Sequence, residues 1–203
     1  GAQLAELTRL LLRAGTVAEV LSRVVHAATA VIPGADLVSV TLRSPEGTFH
    51  TPVDTGPVAR ELDEVQYHAG HGPCVDSARP AGPAYARSGN LATEPAWPEF
   101  GPAAAGRGYS SVLSTALVPD AEPPRLSGAL NVYSRRPGAF DDDARDRALV
   151  LGRDGSLGLA RTANPFEAFG RTAAAFEGMA RNANAFQALA RDARALSAAA
   201  RSA

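Results

Sequence analysis

With 203 residues and 45% hydrophobic content, the chain is long enough for one core-forming domain plus an appendage. Its formal net charge of −1 excludes a uniformly basic nucleic-acid or membrane-surface binder. A single cysteine excludes an internal disulfide and a multi-thiolate metal centre, and fits a reducing compartment. The first residues lack the basic start and apolar core of a signal peptide, and no apolar run approaches the roughly 20 residues of a membrane span, so the expected location is the cytoplasm, with no membrane partner.

In chain order, Leu4, Leu7 and Leu11 stand at helical spacing and predict an N-terminal helix over 1–15. Thr16 and Glu19 form a T-x-x-E capping box. Behind it Val17, Val20, Leu21, Val24, Val25, Ala28, Val31 and Ile32 repeat at three and four, until Pro33-Gly34 ends the helix. The period then changes to two. Val38, Val40 and Leu42 alternate with Ser39, Thr41 and Arg43, Ser44-Pro45-Glu46-Gly47 has the composition of a type I turn, and Thr48 to Val53 reads as the return strand. Residues 57–70 predict a helix that stops at a glycine, and a short helix begins near Pro73. Tyr85-Ala86 suits a short strand, and 90–108 a loop and helix around Trp97 and Phe100. Two longer strands follow over 111–118 and 126–133. Asp141-Asp142-Asp143 then marks the start of a helix running to about 162, because carboxylates favour a helix N-terminus. Strands adjacent in sequence should pair antiparallel under helices, which is an α+β domain over 16–162 built on one sheet.

Residues 163–203 differ. Phe166, Phe176 and Phe186 recur every ten residues, as do Arg171, Arg181, Arg191 and Arg201, in an alanine-rich background that favours helix. From Arg153 onward the charge is +3, against −4 for residues 1–152. This tail reads as an extra C-terminal helical segment.

The stretch from Tyr67 to Cys74 carries the strongest site signal. A helix ends, Gly70-His71-Gly72-Pro73 turns the chain, and the only cysteine follows, which brings a phenol (Tyr67), two imidazoles (His68, His71) and a thiol (Cys74) to one junction. Cys74 can be a small buried apolar residue, a ligand-contacting or redox-sensing thiol, or a catalytic one. His68 and His71 can line a pocket or stand at the surface, and no metal-ligand spacing accompanies them. Asn131 and Tyr133 share one strand face opposite Leu130 and Val132, which implies either solvent or a wet pocket. Trp97, between Pro95 and Pro98, suits a core or lid position. On α-helical spacing Ala148, Gly152, Ser156, Leu159, Ala160 and Ala163 make a small-residue stripe, which with Leu4, Leu7 and Leu11 predicts a homodimer interface or else packing onto the chain's own sheet. No catalytic set emerges: there is no G-x-S-x-G and no phosphate-binding glycine loop with lysine, so the expectation is a protein that is not an enzyme.

Several short stretches together resemble a GAF domain, more narrowly the sensor half of actinobacterial GAF–ANTAR regulators. They are Arg60-Glu61-Leu62-Asp63-Glu64-Val65-Gln66-Tyr67, Gly72-Pro73-Cys74-Val75-Asp76-Ser77-Ala78, Asn90-Leu91-Ala92-Thr93-Glu94-Pro95-Ala96-Trp97-Pro98, Ser110-Ser111-Val112-Leu113-Ser114, Gly128-Ala129-Leu130-Asn131-Val132-Tyr133-Ser134 and Pro137-Gly138-Ala139-Phe140-Asp141-Asp142. The resemblance spans about residues 17–160. It implies a central antiparallel sheet flanked by helices, with a pocket over one sheet face, and a function in sensing or dimerising rather than catalysis. Tyr67, His68, His71, Cys74, Trp97, Ser111, Asn131 and Tyr133 are the expected ligand-contacting residues, for a small molecule whose identity, like any cofactor, the sequence leaves unknown. The family's output half, the RNA-binding antitermination module ANTAR, is similar to Phe169-Gly170-Arg171-Thr172-Ala173 and to Ala185 through Arg191 only in part. The tail is therefore read as a degenerate ANTAR with possible RNA contact or as an oligomerisation element. The expected function is a cytoplasmic signalling or transcription regulator. The alternatives are a GAF-fold redox enzyme akin to methionine sulfoxide reductases, whose several cysteines this chain lacks, and a ligand-free dimerisation module.

Overall fold

A computed structural model describes residues 16–44, 46–117 and 127–161. The N-terminal helix with Leu4, Leu7 and Leu11, and the 163–203 tail with its ANTAR-like stretches, lie outside the described residues.

Helix α1 (Val17–Val31) starts where the capping signature places it, with Thr16 Oγ1 accepting from the Glu19 amide at 3.2 Å. Strands β1 (Leu37–Arg43) and β2 (Phe49–Asp54) form the expected hairpin. Its turn is closed by the Gly47 amide donating to the Ser44 carbonyl at 2.9 Å. Helix α2 (Pro57–Ala69) begins on a proline and ends on Gly70, whose φ of 71° is the left-handed conformation that favours glycine at a helix stop. The short α3 (Pro73–Ala78) follows soon after, then β3 (Tyr85–Ser88), a single 3₁₀ turn (Leu91–Thr93) and α4 (Phe100–Gly106). Strands β4 (Ser111–Leu117) and β5 (Ser127–Ser134) lead to α5 (Asp142–Arg161). Asp141 caps α5, its Oδ1 accepting from the Ala144 amide at 2.9 Å.

The strands form one antiparallel sheet in the order β2-β1-β5-β4-β3. The architecture is α+β. One sheet face is apolar: Val38, Val40, Leu42, Leu113, Leu117, Leu130 and Val132 pack against α1 and α5 in the main core. The opposite face lies under α2, α3 and α4, and there the strands present Ser39, Thr41, Ser114, Asn131 and Tyr133. An irregularity in β2 serves this face. Between the pairs Val40–Val53 and Leu42–His50, β2 carries one residue more than β1, a bulge at Thr51-Pro52 opposite Thr41. Proline is tolerated there because β2 is an edge strand.

The small-residue stripe of α5 settles on the chain's own sheet rather than on an outer face. Ala148 and Leu159 are buried within the chain's own core, and the Ser156 hydroxyl turns back to the Gly152 carbonyl at 2.8 Å. A Cβ on Gly152 would fall 2.9 Å from the Ala116 carbonyl oxygen of β4, and one on Gly155 would fall 2.9 Å from Val24 of α1. The small residues are thus explained by close intrachain approach. They leave Val150 and Leu157, each 38% exposed, as large apolar side chains on the outside of α5. Gly152→Val is therefore expected to lower the stability of the isolated protomer by roughly 1–3 kcal/mol through overpacking against β4. Urea unfolding that reads no loss would contradict this packing.

Candidate functional site

The polar sheet face is roofed by α2 and α3, and the residues that meet there form one hydrogen-bonded cluster. Its centre is Asp63 on α2, which has no solvent exposure. Tyr133 Oη donates to Asp63 Oδ1 at 2.6 Å, and Thr51 Oγ1 donates to Oδ2 at 2.9 Å, the reach that the β2 bulge provides. Asn131 Nδ2 donates to Thr41 Oγ1 at 2.9 Å and to Ser39 Oγ at 3.1 Å, with a longer approach to Asp63 Oδ1 at 3.4 Å. Asn131 Oδ1 accepts from Ser114 Oγ at 3.0 Å. Tyr67 Oη bridges Thr41 Oγ1 at 2.9 Å and Thr51 Oγ1 at 2.7 Å, and its ring stacks on Phe49 with centroids 5.6 Å apart.

Burial and bonding act against each other at Asp63. Loss of water disfavours the carboxylate, the hydroxyls of Tyr133, Ser39 and Thr51 favour it, and burial dominates, so the carboxyl is pushed up from 3.8 to about 6. The side chains that hydrogen-bond to this carboxylate, Thr51, Asn131 and Tyr133, are all neutral. Burial beside that charge also pushes the phenols of Tyr67 and Tyr133 well above their ordinary range.

The α2–α3 junction is held by Gln66. Its Oε1 accepts from the Cys74 amide at 2.9 Å, and its Nε2 donates to Tyr133 Oη at 3.2 Å. Gly72 at the N-cap of α3 has no side chain to cap with, so a glutamine one helix earlier supplies the acceptor for an otherwise orphaned amide. Gly72 itself is required twice over: its φ is 144°, and a Cβ there would lie 2.5 Å from Gln66 Oε1. The outer end of α3 is tied by Trp97, whose Nε1 donates to Asp76 Oδ2 at 3.0 Å. Trp97, Phe100, Tyr109 and Tyr133 continue as an aromatic row under α4.

The sequence-derived residues separate into groups. Tyr67, Asn131 and Tyr133 enter the polar cluster, and Asn131 and Tyr133 have no solvent exposure. Cys74 is buried beside it, with its thiol pushed well above its ordinary range by burial first and by the Asp63 charge second. Trp97 is the tie on the roof. The two imidazoles stand apart from the sulfur. His68 is exposed, with Nδ1 2.7 Å from the Glu64 carbonyl oxygen, and His71 Nε2 lies 3.0 Å from Glu99 Oε2. Helical geometry explains this, because Tyr67 and His68 are successive residues and so point about 100° apart. Ser111 belongs to the other sheet face and donates to the Arg136 carbonyl at 2.7 Å, since it shares parity with Leu113, and the cluster takes Ser114 instead. Among the described residues no group of three His, Cys, Asp or Glu is placed to hold a metal ion, and no helix is long and apolar enough to cross a membrane.

No protein-family model matches the sequence, and no curated protein sequence matches it. Solved structures do. A domain of a putative two-component sensor histidine kinase from Sinorhizobium meliloti superposes with a TM-score of 0.56 at 22% identity, covering 73% of this chain and 94% of that one. The GAF domain of a phosphoenolpyruvate-protein phosphotransferase from Coxiella burnetii gives 0.56 at 18% identity, with 78% and 91% covered. The free methionine-R-sulfoxide reductase of Neisseria meningitidis, solved in complex with its substrate, gives 0.51 at 17% identity, with 81% and 86% covered.

The fold is that of a GAF domain.

Within this GAF fold the residues that sequence reading passed over are Asp63, Gln66, Thr41, Thr51, Ser39 and Ser114. A signal for two of them was present. Asp63 and Gln66 share the face of α2 that carries Ala59 and Leu62, both fully buried, so a carboxylate and an amide were written into an otherwise core-facing stripe.

Two expectations follow. Because Asp63 titrates higher in the folded state than in the unfolded chain, it destabilises the fold above about pH 6, and the loss is relieved as pH falls through that value. Relative to Asp63→Asn, the wild type should therefore gain on the order of 2–3 kcal/mol between pH 7 and pH 4 in denaturant titrations, since each tenfold difference in proton affinity between the folded and unfolded chain is worth about 1.4 kcal/mol. A difference that stays constant with pH would refute the assignment. Cys74 should react with a chromogenic disulfide reagent at the rate of global unfolding, and fast labelling of the native protein would show that α3 does not cover it.

Proposed function

We propose that this chain is a sensory GAF module whose α2–α3 roof and polar sheet face receive a small molecule. One observation carries the reading. The layer between the sheet and α2 could have been sealed with apolar side chains, yet the strands bring an amide, a phenol and four hydroxyls to it and α2 brings a carboxylate, a phenol and an amide, at a cost of desolvation that packing alone does not require. Part of the roof over it is slight, a six-residue α3 joined to α2 through Gly70 and Gly72. Strands β1, β4 and β5 carry the cluster on one face and the contacts to α1 and α5 on the other. Altered packing at Asn131 and Thr41 would therefore reach Leu130, Val40 and the helices in one step. Thr115 Oγ1, donating to the Ala148 carbonyl at 3.3 Å, is one such link between β4 and α5.

In this reading α5 leads into the arginine-containing tail, which supplies the output. RNA contact of the ANTAR kind and self-association are the two forms considered. If homodimers form, the outer side of α5 with Val150 and Leu157 is the face left for them, since Ala148, Gly152, Ser156 and Leu159 are occupied within the chain. Arginine–phosphate contacts would show as a shift of a paired RNA hairpin at low salt that disappears as salt rises.

A second reading, a ligand-free scaffold, is favoured by the completeness of the network: among the described residues Ser127 Oγ is the buried side-chain polar atom left without a partner. The redox-enzyme alternative fares worse, because the lone thiol is buried and held protonated. A metabolite library screened by thermal shift, with amide resonances followed by NMR, separates the two leading readings. The sensor is expected to show a saturable hit that moves resonances of Thr41, Asp63, Tyr67 and Asn131. A native mass spectrum of the protein isolated from its own cells that carries no bound mass, with no hit in the screen, would leave the scaffold.

A further inference from the structure

The outward side of α2 borders an open groove of about 680 Å³ that runs against the α4 region. The floor of the groove is apolar. Val65 and Ala69 lie there half-buried, and Val65 packs onto the core cluster around Trp97 and Phe100. The rims are acidic. Glu61 and Glu64 stand along α2, and Glu99 faces them from the start of α4. The guanidinium of Arg107 meets Glu61 at 2.8 Å, and the imidazole of His71 lies 3.0 Å from Glu99. Among the described residues Glu64 has no ion-pair partner, so three carboxylates line the groove against one guanidinium and the lining is net negative.

The complementary pattern is present in the chain's own tail. Residues 178–203 carry Arg181, Arg191, Arg194 and Arg201 against the single acid Asp192. Within them Phe186 and Leu189 stand three apart, and so do Arg191 and Arg194, which is the spacing of Glu61 and Glu64 on α2. On a helix, residues three or four apart share a face, as Val65 and Ala69 do.

We propose that this groove is the docking surface for residues 186–194 of the same chain, with Phe186 and Leu189 over Val65 and Ala69, and Arg191 and Arg194 against Glu64 and the carboxylates beside it. The reach is sufficient. The 24 residues between Arg161 and Phe186 span up to about 80 Å when extended, against a width of about 40 Å for a domain of this size. Exposed ion pairs are individually weak, but a tethered segment is held near millimolar effective concentration, so a modest affinity fills the groove. A phosphate backbone or an anionic membrane would meet the same carboxylates with like charge. The inward side of α2 carries Asp63, Gln66 and Tyr67, so a segment seated on the outward side bears on the helix that roofs the polar cluster. The docking goes beyond the sensory reading and stands whether or not the polar face takes a ligand.

A paramagnetic label on Ser197→Cys in the whole chain tests this, Cys74 being buried and out of reach of the reagent. The readout is broadening of the amide resonances of Glu64, Val65 and Ala69, with Val150 on α5, across the sheet, as reference. The expected result is broadening in the groove that exceeds that at Val150. Glu64→Arg should reduce it by about two- to fivefold, the scale of one or two exposed ion pairs, and adding Arg191→Glu and Arg194→Glu should restore it by charge exchange. Glu46→Gln, in the β1–β2 turn, should leave it unchanged. Groove amides that stay sharp, or that broaden equally in Glu64→Arg, would overturn the proposal. Full broadening in a mixture of spin-labelled chains with isotope-enriched, unlabelled chains would give the groove to the tail of a second copy, and would overturn it as well.

Discussion

The interaction on which this structure turns is the enclosure of Asp63. A single carboxylate, fully removed from water and facing neutral partners, organises the groups around it: it accepts from Tyr133 and holds Thr51 through a β-bulge, and the same threonine and Thr41 meet the Tyr67 hydroxyl. Unsatisfied, such a group would cost about 1–3 kcal/mol or more, so the network is not ornament but a condition for having that residue there at all. The same requirement accounts for Ser39 and Thr41 on β1 and Asn131 and Tyr133 on β5, opposite the apolar Val38, Val40, Leu130 and Val132, although both sides are buried.

The roof shows a related economy. Gln66 joins the two halves of the molecule's upper layer by capping α3 with one end of its amide and touching Tyr133 with the other. Gly72 makes room for that amide, and Gly70 supplies the left-handed stop from which the chain can reach it. Charge enters at the periphery instead. His71 with Glu99, and Arg107 with Glu61, tie the turn and α2 to the α4 region through partly exposed pairs, which contribute little to stability but fix how the layers lie. The reactive-looking residue types of the junction are thereby sorted into a buried neutral thiol, a surface imidazole and a peripheral imidazole–carboxylate contact.

The GAF fold is shared with proteins that do different things, a sensor kinase domain and a reductase among them, so the fold does not decide the activity of this chain. What distinguishes it is local. It has one thiol, buried and protonated, and a buried polar cluster whose one charged member is the Asp63 carboxylate.

Read alone, the sequence determined the element order, the hairpin, the helix cap at Thr16, the helix start at Asp141-Asp142-Asp143, the stop at Gly70 and the two-sided character of the strand carrying Asn131 and Tyr133, because these depend on periodicity and on local backbone preference, which act within a few residues. It determined the fold class as well, through short stretches in the right order. Only the tertiary structure decided that Asp63 and Gln66 face inward onto that strand, that Ser114 and not Ser111 joins them, that His68 and His71 part company with Cys74, and that the small residues of α5 serve its own sheet. Each of those outcomes depends on which face of one element meets which face of another across tens of residues of chain. Local periodicity gives the faces of an element but not their partners, and a buried carboxylate reads in sequence like any surface one until the strands that satisfy it are brought beneath it.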